Sequence, residues 1–316
     1  MSAVSLRISN TFSESSVQKI RENTSLKVLM GFDDSDAHCQ ALIVRSKDHV
    51  DQALIQRFPN LKGIVSATSG FDHFDLDLVQ KEKQIFFGFS PNANIVSCAE
   101  LTLMHALNLL KNQKLHLEPK RTEKNLGIEL FNKTVLIVGF GRIGQRVSNL
   151  LQSFGVNVIA HDPYAFKKDF ASLGVRSVSI EEGLNEADIV SFHCPLTKKT
   201  KGMINTLFFE KMKTDSFLIN CARGELLNEQ ELIQALDTGA IQGAALDVFE
   251  TEPLPEASPL WSEPRVYLSP HLGGYTEEAQ KRSAMESLSQ VESLLSNKSH
   301  DLCPLPLNAM WFKDLI

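Results

Sequence analysis

No stretch of this 316-residue sequence approaches the 18 or more uninterrupted apolar residues that a membrane-spanning helix needs. The first seven residues lack the apolar core of a signal peptide. Acidic residues outnumber basic ones, 38 against 32, and the formal charge of −6 argues against a nucleic-acid partner, which would need a basic surface. We therefore expect a cytoplasmic protein that contacts neither membrane nor nucleic acid.

Cysteine is scarce and scattered. Cys39, Cys98, Cys194, Cys221 and Cys303 form no CxxC pair and no cysteine–histidine spacing typical of zinc. Their odd number and wide separation fit reduced thiols in a cytosol better than a disulfide framework. The sequence therefore predicts no metal site.

Apolar residues make up 43% of the sequence, enough to fill two cores in a chain of this length. Short apolar runs typical of buried strands alternate with helical patterns, which predicts an α/β fold with parallel sheets. A glycine-rich unit begins near residue 132, so a separate α/β unit precedes it. We expect residues 1–95 and 283–316 to form one α/β domain, with residues 96–282, which contain the glycine-rich unit, inserted as a second domain.

A dinucleotide-binding pattern starts at an apolar strand, Thr134–Val138. The strand runs into Gly139-Phe140-Gly141-Arg142-Ile143-Gly144, and a helical pattern and a second strand follow, ending at Asp162. The first of these glycines makes a tight turn, the second lets the backbone approach a pyrophosphate, and the third allows close helix–strand packing. Asp162 lies 18 residues beyond Gly144, where an acid receives the ribose hydroxyls.

Asp162 also indicates which dinucleotide binds. A 2′-phosphate beside it would set like charges about 4 Å apart, at a cost on the order of 4 kcal/mol at an effective dielectric of 20. The sequence therefore predicts NAD. Arg142, next to the turn, and Lys167 and Lys168, after Asp162, leave residual NADP use open.

Hydride transfer to a carbonyl needs a cation that polarises the substrate, an acid that protonates the nascent alkoxide, and a group that tunes that acid. Three residues after predicted strands suit these tasks. Arg223 has a planar fork that suits a carboxylate, His271 titrates near neutral pH, and Glu252 can raise the pKa of His271. Spacing alone leaves two rivals, Glu250 for Glu252 and His193 for His271.

Six segments, in order, resemble the D-isomer-specific 2-hydroxyacid dehydrogenases and together span the dinucleotide-binding domain nearly end to end. They are Val135–Gly144, His161–Tyr164, His193–Thr197, Asn220–Glu225, Ala245–Leu254 and Ser269–Gly274. The resemblance implies two doubly wound parallel-sheet α/β domains, a Rossmann NAD domain inserted into a flavodoxin-like substrate domain. It also implies a homodimer formed through the NAD domain.

Carried over by position, the resemblance assigns Arg223 to the substrate, His271 to acid–base catalysis, and Glu252 to His271. The cofactor contacts that it implies are Ser90, Gly139, Gly141, Arg142, Ile143, Gly144, Asp162, His193, Cys194, Pro195, Thr197, Cys221, Ala222, Arg223, Asp247, His271, Gly273 and Gly274. The loop Ser66–Asp75 is similar to the family's substrate loop, in which the N–H groups of Ser69 and Gly70 would meet the substrate carboxylate.

Within the family the resemblance is nearest to the 3-phosphoglycerate dehydrogenases, which implies 3-phosphoglycerate and 3-phosphohydroxypyruvate as substrates and a role in serine biosynthesis. Arg45 is the candidate cation for the phosphate, and it equally fits a structural ion pair. Ser66 stands where some of these enzymes have another arginine. The sequence ends soon after its last helical pattern, so we expect no feedback control through a regulatory domain.

Other functions stay open on the sequence alone. Glyoxylate, hydroxypyruvate and aliphatic 2-keto acids remain alternative substrates. A transcriptional corepressor of the same fold, which binds NAD and recruits peptides, is the alternative of another class. An NAD-dependent formate dehydrogenase is a weaker one, because hydride abstraction from formate needs no acid–base pair.

Overall fold

The structure is a computed structural model that describes residues 4–32, 36, 38–111, 126–298 and 301–315, the side chain of Lys313 excepted. The chain forms two compact units. Unit 1 comprises Met1–Ile95 and Gly274–Ala309, and unit 2 comprises Val96–Gly273 and Met310–Ile316. None of the helices within the described ranges is long and apolar enough to cross a membrane.

Unit 1 is built on a five-stranded parallel sheet in the order β2-β1-β3-β4-β5. Its strands are β1 (Ser5–Ile8), β2 (Lys27–Met30), β3 (Cys39–Val44), β4 (Gly63–Ser66) and β5 (Phe86–Phe89). All four residues of β1 and of β4 are buried, as expected for inner strands covered on both faces. This strand order is that of flavodoxin-like doubly wound sheets.

Three helices follow strands of unit 1 and begin at side-chain caps. They are α1 (Glu14–Glu22), α2 (Gln52–Gln56) and α3 (Leu76–Lys81). Ser13, Asp51 and Asp75 each accept the N–H of the residue three positions later, which satisfies a donor that the helix itself leaves without a partner.

Unit 2 is built on a seven-stranded parallel sheet in the order β12-β11-β10-β9-β6-β7-β8. Its strands are β6 (Thr134–Val138), β7 (Asn157–His161), β8 (Arg176–Ser177), β9 (Ile189–Phe192), β10 (Phe217–Asn220), β11 (Gly243–Leu246) and β12 (Val266–Leu268). The chain starts at β6, runs outward to β8 and then crosses to β9 on the other side of β6. Doubly wound sheets bind ligands at the carboxyl ends of the strands at such a switch point.

Helices cover both faces of this second sheet. They are α4 (Ile95–Leu110), α5 (Arg142–Gln152), α6 (Lys167–Ser172), α7 (Ile180–Glu186), α8 (Thr206–Phe209) and α9 (Glu229–Thr238). Successive residues of β6 enter different cores, Val135 and Ile137 one cluster, Leu136 and Val138 the other. Burial on both faces explains why the strand is a continuous apolar run.

The last long helix, α10 (Glu277–Leu295), belongs to unit 1. Thr276 caps its start by accepting the N–H of Ala279 at 3.2 Å. Ala284, Leu288 and Val291 pack into the cluster that also contains residues of β1 and β3. The C-terminal part of the chain therefore completes the core of the N-terminal unit.

The predicted fold, two doubly wound parallel-sheet α/β domains, is confirmed. The limits of the units differ from the predicted domain limits in two places. Residues 274–282 lie in unit 1, because α10 starts at Glu277 and is already buried at Ala279. Residues 310–316 lie with unit 2, where Asp314 has its hydrogen-bond partners. The sequence analysis also missed β1.

Candidate active site

The glycine turn after β6 has the geometry that a dinucleotide requires. Gly139 has a φ of +95°, and a Cβ atom there would lie 2.6 Å from the backbone nitrogen of Cys194. A Cβ at Gly144 would lie 2.2 Å from the carbonyl oxygen of Gly139, so only glycine allows this packing of α5 on the turn. At Gly141 an added Cβ would meet no described atom within 4 Å, and α5 starts at the next residue without a side-chain cap. An anionic pyrophosphate suits this helix N-terminus, so the residues present fit NAD.

Asp162 lies directly after β7, the neighbour of β6 in the sheet. One carboxylate oxygen accepts the N–H of Phe140 in the glycine turn at 2.8 Å. The other accepts the N–H groups of Tyr164 at 2.8 Å and Ala165 at 3.2 Å. The carboxylate is thereby fixed beside the glycine turn, where the prediction for the ribose hydroxyls requires it.

His271, after β12, pairs with Glu252, after β11. His271 Nδ1 and Glu252 Oε2 are 2.6 Å apart, and Glu252 Oε1 accepts the N–H of Phe249 at 3.2 Å. The hydrogen bond to Glu252 raises the pKa of His271 against the opposing effect of burial. Burial pushes the pKa of Glu252 upward, but the hydrogen bond and charge of His271 outweigh it, so that pKa is lowered. An imidazolium held through Nδ1 keeps its Nε2 proton available for transfer.

Arg223 follows β10, and its loop packs tightly on the segment that leads to Glu252. A Cβ at the next residue, Gly224, would lie 1.9 Å from the carbonyl carbon of Phe249, so the two loops are in backbone contact. Arg223 Nη1 donates to the carbonyl oxygen of Ala222 at 2.7 Å. Its positive charge contributes to lowering the pKa of Glu252 and opposes protonation of His271. The structure therefore brings the three predicted catalytic side chains to one place.

The two rivals of these residues have other partners. Glu250 accepts the N–H of Glu229, at the start of α9, at 2.9 Å, and its own N–H donates to the Glu229 carboxylate at 2.8 Å. His193 Nε2 lies 2.9 Å from the hydroxyl of Ser191, and burial lowers the pKa of His193 to about 3. A neutral imidazole at working pH is a poor proton donor, so geometry and charge both favour Glu252 with His271.

The backbone at His271 is strained and held in place by Asp247. Its φ of +54° is unusual for a residue with a side chain and costs about 1–3 kcal/mol. The N–H of His271 donates to the Asp247 carbonyl at 2.8 Å. The Asp247 carboxylate accepts the N–H groups of Leu272 and Gly273 at 2.7 and 2.8 Å, and the hydroxyl of Ser269 at 2.6 Å. Asp247, one of the predicted cofactor contacts, thus shapes the loop that carries His271.

A residue that the sequence analysis missed supports this loop. His105, buried on α4, has its Nε2 3.0 Å from the Ser269 hydroxyl, and burial lowers the pKa of His105 to about 4. Because that hydroxyl donates to Asp247, the neutral His105 donates to Ser269 from Nε2. The sequence signal that could have revealed His105 is a histidine on the apolar face of a helical pattern.

The predicted cofactor-lining cysteines lie where burial favours the protonated thiol over the thiolate. Burial raises the pKa of Cys194 to about 12 and that of Cys221 well above its ordinary value. Local bonds hold the loop of Cys194: the hydroxyl of Thr200 donates to the carbonyl of Pro195 at 2.8 Å and accepts the N–H of Thr197 at 2.7 Å. In the predicted cofactor site these residues would act through their backbone and not through a reacting thiol. Their contacts with the cofactor stay predictions.

In unit 1 the predicted substrate loop is fixed by hydroxyl groups. The Thr68 hydroxyl donates to the carbonyl of Gly70 at 2.7 Å, and the buried Ser66 hydroxyl lies 2.7 Å from Thr68 Oγ1 and 3.2 Å from His73 Nε2. The N–H of Ser90 donates to the Thr68 carbonyl at 3.1 Å. The loop that carries Ser69 and Gly70 is therefore preorganised within its own unit.

Arg45, the other predicted substrate contact in unit 1, is half-buried after β3. Its Nη1 donates to the Thr11 carbonyl at 3.0 Å, and its guanidinium lies 5.2 Å from the centre of the Phe12 ring. Its backbone N–H donates to the Asp48 carboxylate at 2.7 Å. The side chain is thus held at one nitrogen and packed on one face.

The family comparison identifies the scaffold that carries these residues. A family model described as "D-isomer specific 2-hydroxyacid dehydrogenase, NAD binding domain" matches residues 100–273. The chain belongs to the D-isomer specific 2-hydroxyacid dehydrogenase family. The predicted family and the prediction of NAD as cofactor are confirmed by this match.

Curated relatives of this chain include D-3-phosphoglycerate dehydrogenases. That of Bacillus subtilis is 39% identical over 256 residues, which cover 79% of this chain and 48% of the relative. That of Methanocaldococcus jannaschii is 35% identical over 303 residues, which cover 92% of this chain and 57% of the relative. The chain spans about half the length of the curated relatives that it matches.

Solved structures of the family superpose over nearly the whole chain. A D-lactate dehydrogenase from Aquifex aeolicus, complexed with NAD and lactic acid, has a TM-score of 0.81 and 28% identity, covering 94% of this chain and 97% of that one. An NAD-complexed D-isomer specific 2-hydroxyacid dehydrogenase from Lactobacillus delbrueckii has a TM-score of 0.79 and 25% identity, with 93% and 98% covered. The similarity thus extends beyond the NAD-binding domain.

Proposed function

We propose that this chain is an NAD-dependent oxidoreductase that transfers a hydride between the nicotinamide and a D-2-hydroxy acid or its 2-keto acid. The observation that carries the proposal is the 2.6 Å pair of His271 and Glu252, with Arg223 beside it and a glycine turn that fits NAD. The family supplies the reaction class, because its members are dehydrogenases of D-2-hydroxy acids.

Bound NADH supplies the hydride, and this chain supplies the charge and the proton. Arg223 holds the substrate carboxylate and polarises the carbonyl, since a guanidinium is a planar donor that keeps its charge. His271 delivers its Nε2 proton to the nascent alkoxide, and Glu252 stabilises the protonated imidazole through Nδ1. In the oxidation direction the neutral His271 accepts the hydroxyl proton.

Unit 1 provides the substrate loop in this proposal. The N–H groups of Ser69 and Gly70 bind the substrate carboxylate, and the bonds of Thr68 and Ser66 keep those groups in place. The substrate we favour is 3-phosphohydroxypyruvate, with 3-phosphoglycerate as its reduced partner. Two observations support it: the identity of 35–39% with D-3-phosphoglycerate dehydrogenases, and the position of Arg45 after β3. The pathway would then be serine biosynthesis.

A small unphosphorylated 2-keto acid, such as glyoxylate or hydroxypyruvate, is the second candidate. Ser66 favours it, because this side chain is neutral, buried and already engaged with Thr68 and His73. It therefore brings no charge to a phosphate group, which would carry nearly two negative charges. The similarity to the D-lactate dehydrogenase structure points in the same direction.

Arg45→Ala and Arg57→Ala separate the two candidates. Arg57 is a matched control, because its Nη1 also donates to a backbone carbonyl of unit 1, that of Phe32, at 3.0 Å. NADH oxidation is measured with 3-phosphohydroxypyruvate, hydroxypyruvate and glyoxylate. If the phosphate is recognised by Arg45, we expect Arg45→Ala to lower kcat/KM for the phosphorylated acid by about 10- to 100-fold. The kcat/KM of Arg45→Ala for hydroxypyruvate should stay within about threefold of wild type.

Preference of the wild type for hydroxypyruvate or glyoxylate, unaffected by Arg45→Ala, would remove the phosphorylated substrate and keep the reaction class. Absence of turnover with every acid, together with tight NADH binding, would favour an NAD-binding protein of the corepressor type. The proposed reaction would then be withdrawn.

We further propose a cytoplasmic homodimer. The support for a dimer is a set of large apolar side chains that unit 2 exposes, Met104, Phe131 and Phe154, which are 44%, 60% and 44% exposed. A second copy would cover such side chains. Sedimentation velocity at several protein concentrations tests this, and a monomer at all concentrations would contradict it.

A further inference from the structure

The segment that follows unit 1 at the end of the described chain packs on unit 2. Residues Met310–Asp314 form a 3-10 turn, in which Phe312 is buried. The contacts of Asp314 fall on two loops of unit 2, one after β7 and one after β9. The proposed mechanism uses none of them.

Asp314 joins the two loops through both its side chain and its backbone. Its Oδ2 accepts the phenol hydroxyl of Tyr164 at 2.7 Å and a proton of the Lys199 ammonium at 2.9 Å. Its carbonyl oxygen accepts the N–H of Lys198 at 2.6 Å. One residue therefore fixes loop positions that lie 34 residues apart in the sequence.

These loops flank the part of the sheet where the adenosine of NAD is expected. β7 and β9 lie on either side of β6, whose glycine turn receives the pyrophosphate. The N–H of Tyr164 donates to Asp162, the acid assigned to the ribose hydroxyls, at 2.8 Å. A continuous series of hydrogen bonds thus links Asp162 through Tyr164 and Asp314 to Lys199.

The charges of these hydrogen-bonded residues affect the choice between NAD and NADP. The 2′-phosphate of NADP carries nearly two negative charges and needs a cation. Lys199, whose side chain is 68% exposed, is such a cation, but its ammonium is paired with Asp314.

We propose that Asp314 is a second determinant of cofactor choice, which favours NAD over NADP by pairing with the Lys199 ammonium and by holding Tyr164, whose N–H binds Asp162. This inference rests on the NAD-binding part of the proposed function and is independent of the acid substrate. It predicts that the choice is not made by Asp162 alone.

Asp314→Asn tests the proposal through binding, with no keto acid present. NADH and NADPH are titrated by their fluorescence, and the ratio of Kd for NADPH to Kd for NADH is compared with wild type. We expect the ratio to fall by about three- to tenfold, because Lys199 becomes available to the 2′-phosphate. Lys199→Gln in the Asp314→Asn background should reverse most of that fall. Salt should weaken the effect, since the groups are exposed.

The matched control is Asp237→Asn, the same chemical change at a different ion pair of unit 2. Asp237 pairs with Arg265 at 3.0 Å, and the two residues lie at the end of α9 and before β12, at the amino ends of the parallel strands, whereas Tyr164 and Lys199 follow the carboxyl ends. Its Kd ratio should equal that of wild type. Thermal melting checks each variant, and Asp314→Ser, which also removes the charge that pairs with Lys199, is the substitute if Asp314→Asn does not fold.

An unchanged Kd ratio in folded Asp314→Asn would overturn the inference and leave the proposed function intact. Equal weakening of NADH and NADPH binding would also overturn it, because Asp314 would then support the loops without discriminating. Failure of the wild type to bind NADH would overturn the proposed function itself, and this inference with it.

Discussion

The two units of this protein share a doubly wound parallel sheet and differ in the side chains that lie just beyond their strands. In unit 2 these side chains are charged. Asp162 binds the glycine turn, and four further charged residues interact with one another or with the loop of His271: Arg223, Asp247, Glu252 and His271 itself. In unit 1, hydroxyl and backbone groups of Ser66, Thr68 and Gly70 form the loop after β4. The family model matches residues 100–273, nearly all of unit 2 and none of unit 1.

This difference suggests a division of labour. In the proposed reaction, unit 2 carries the proton donor His271 and its partner Glu252, so variants of these two residues should lower kcat. Unit 1 carries groups that only hold a substrate, so its variants should raise KM and spare kcat. Variants in either unit can therefore support this division or contradict it.

The largest effect is expected for His271→Gln. Glutamine keeps a polar side chain of similar size but cannot deliver a proton at neutral pH. We expect kcat for keto-acid reduction to fall by about 10²–10⁴-fold, with little change in NADH affinity. His49→Gln, at an exposed histidine of unit 1, is the control. A His271→Gln enzyme that retains wild-type kcat would remove the acid–base role and the division with it.

A smaller loss and a shifted pH profile are expected for Glu252→Gln. The carboxylate raises the pKa of His271, so keto-acid reduction should be fastest below that pKa and decline as pH rises through it. Removing the charge lowers the pKa, which should move the declining limb to lower pH. At neutral pH we expect a loss of about 10- to 100-fold in kcat/KM, measured across a pH series.

Glu250→Gln is the matched control for this variant. Glu250 stands two residues away, but its carboxylate accepts the N–H of Glu229 at the start of α9. Its pH profile should coincide with that of wild type. If Glu250→Gln moves the declining limb of the pH profile and Glu252→Gln does not, the pairing with His271 is assigned to the wrong acid.

The sequence predicts those structural features that neighbouring residues along the chain determine. The glycine turn is one, since sterics at Gly139 and Gly144 allow no side chain. The choice between Glu250 and Glu252 is different, because both follow β11 and only the approach of α9 engages one of them. Such a contact between distant segments leaves no trace in spacing.

Buried polar residues explain the other omissions. β1 is an inner strand, yet Ser5 and Arg7 interrupt its apolar pattern. Both are buried because other segments provide partners: Arg7 Nη1 donates to the Gly31 carbonyl at 2.9 Å and the Ser5 hydroxyl to Asp36 at 2.8 Å. His105 is a similar case, since its partner Ser269 lies 164 residues away.

The smallest effect is expected for Thr68→Val in unit 1. Valine has the shape of threonine and lacks the hydroxyl that binds the Gly70 carbonyl at 2.7 Å, so the substrate loop loses one hydrogen bond. We expect KM for the keto acid to rise by about three- to tenfold and kcat to stay within about twofold. Thr238→Val, which removes a helical hydroxyl of unit 2 bonded to the Gln234 carbonyl at 3.0 Å, is the control. A fall in kcat at unchanged KM would show that the loop of unit 1 acts in the chemical step, and the division between the units would not hold.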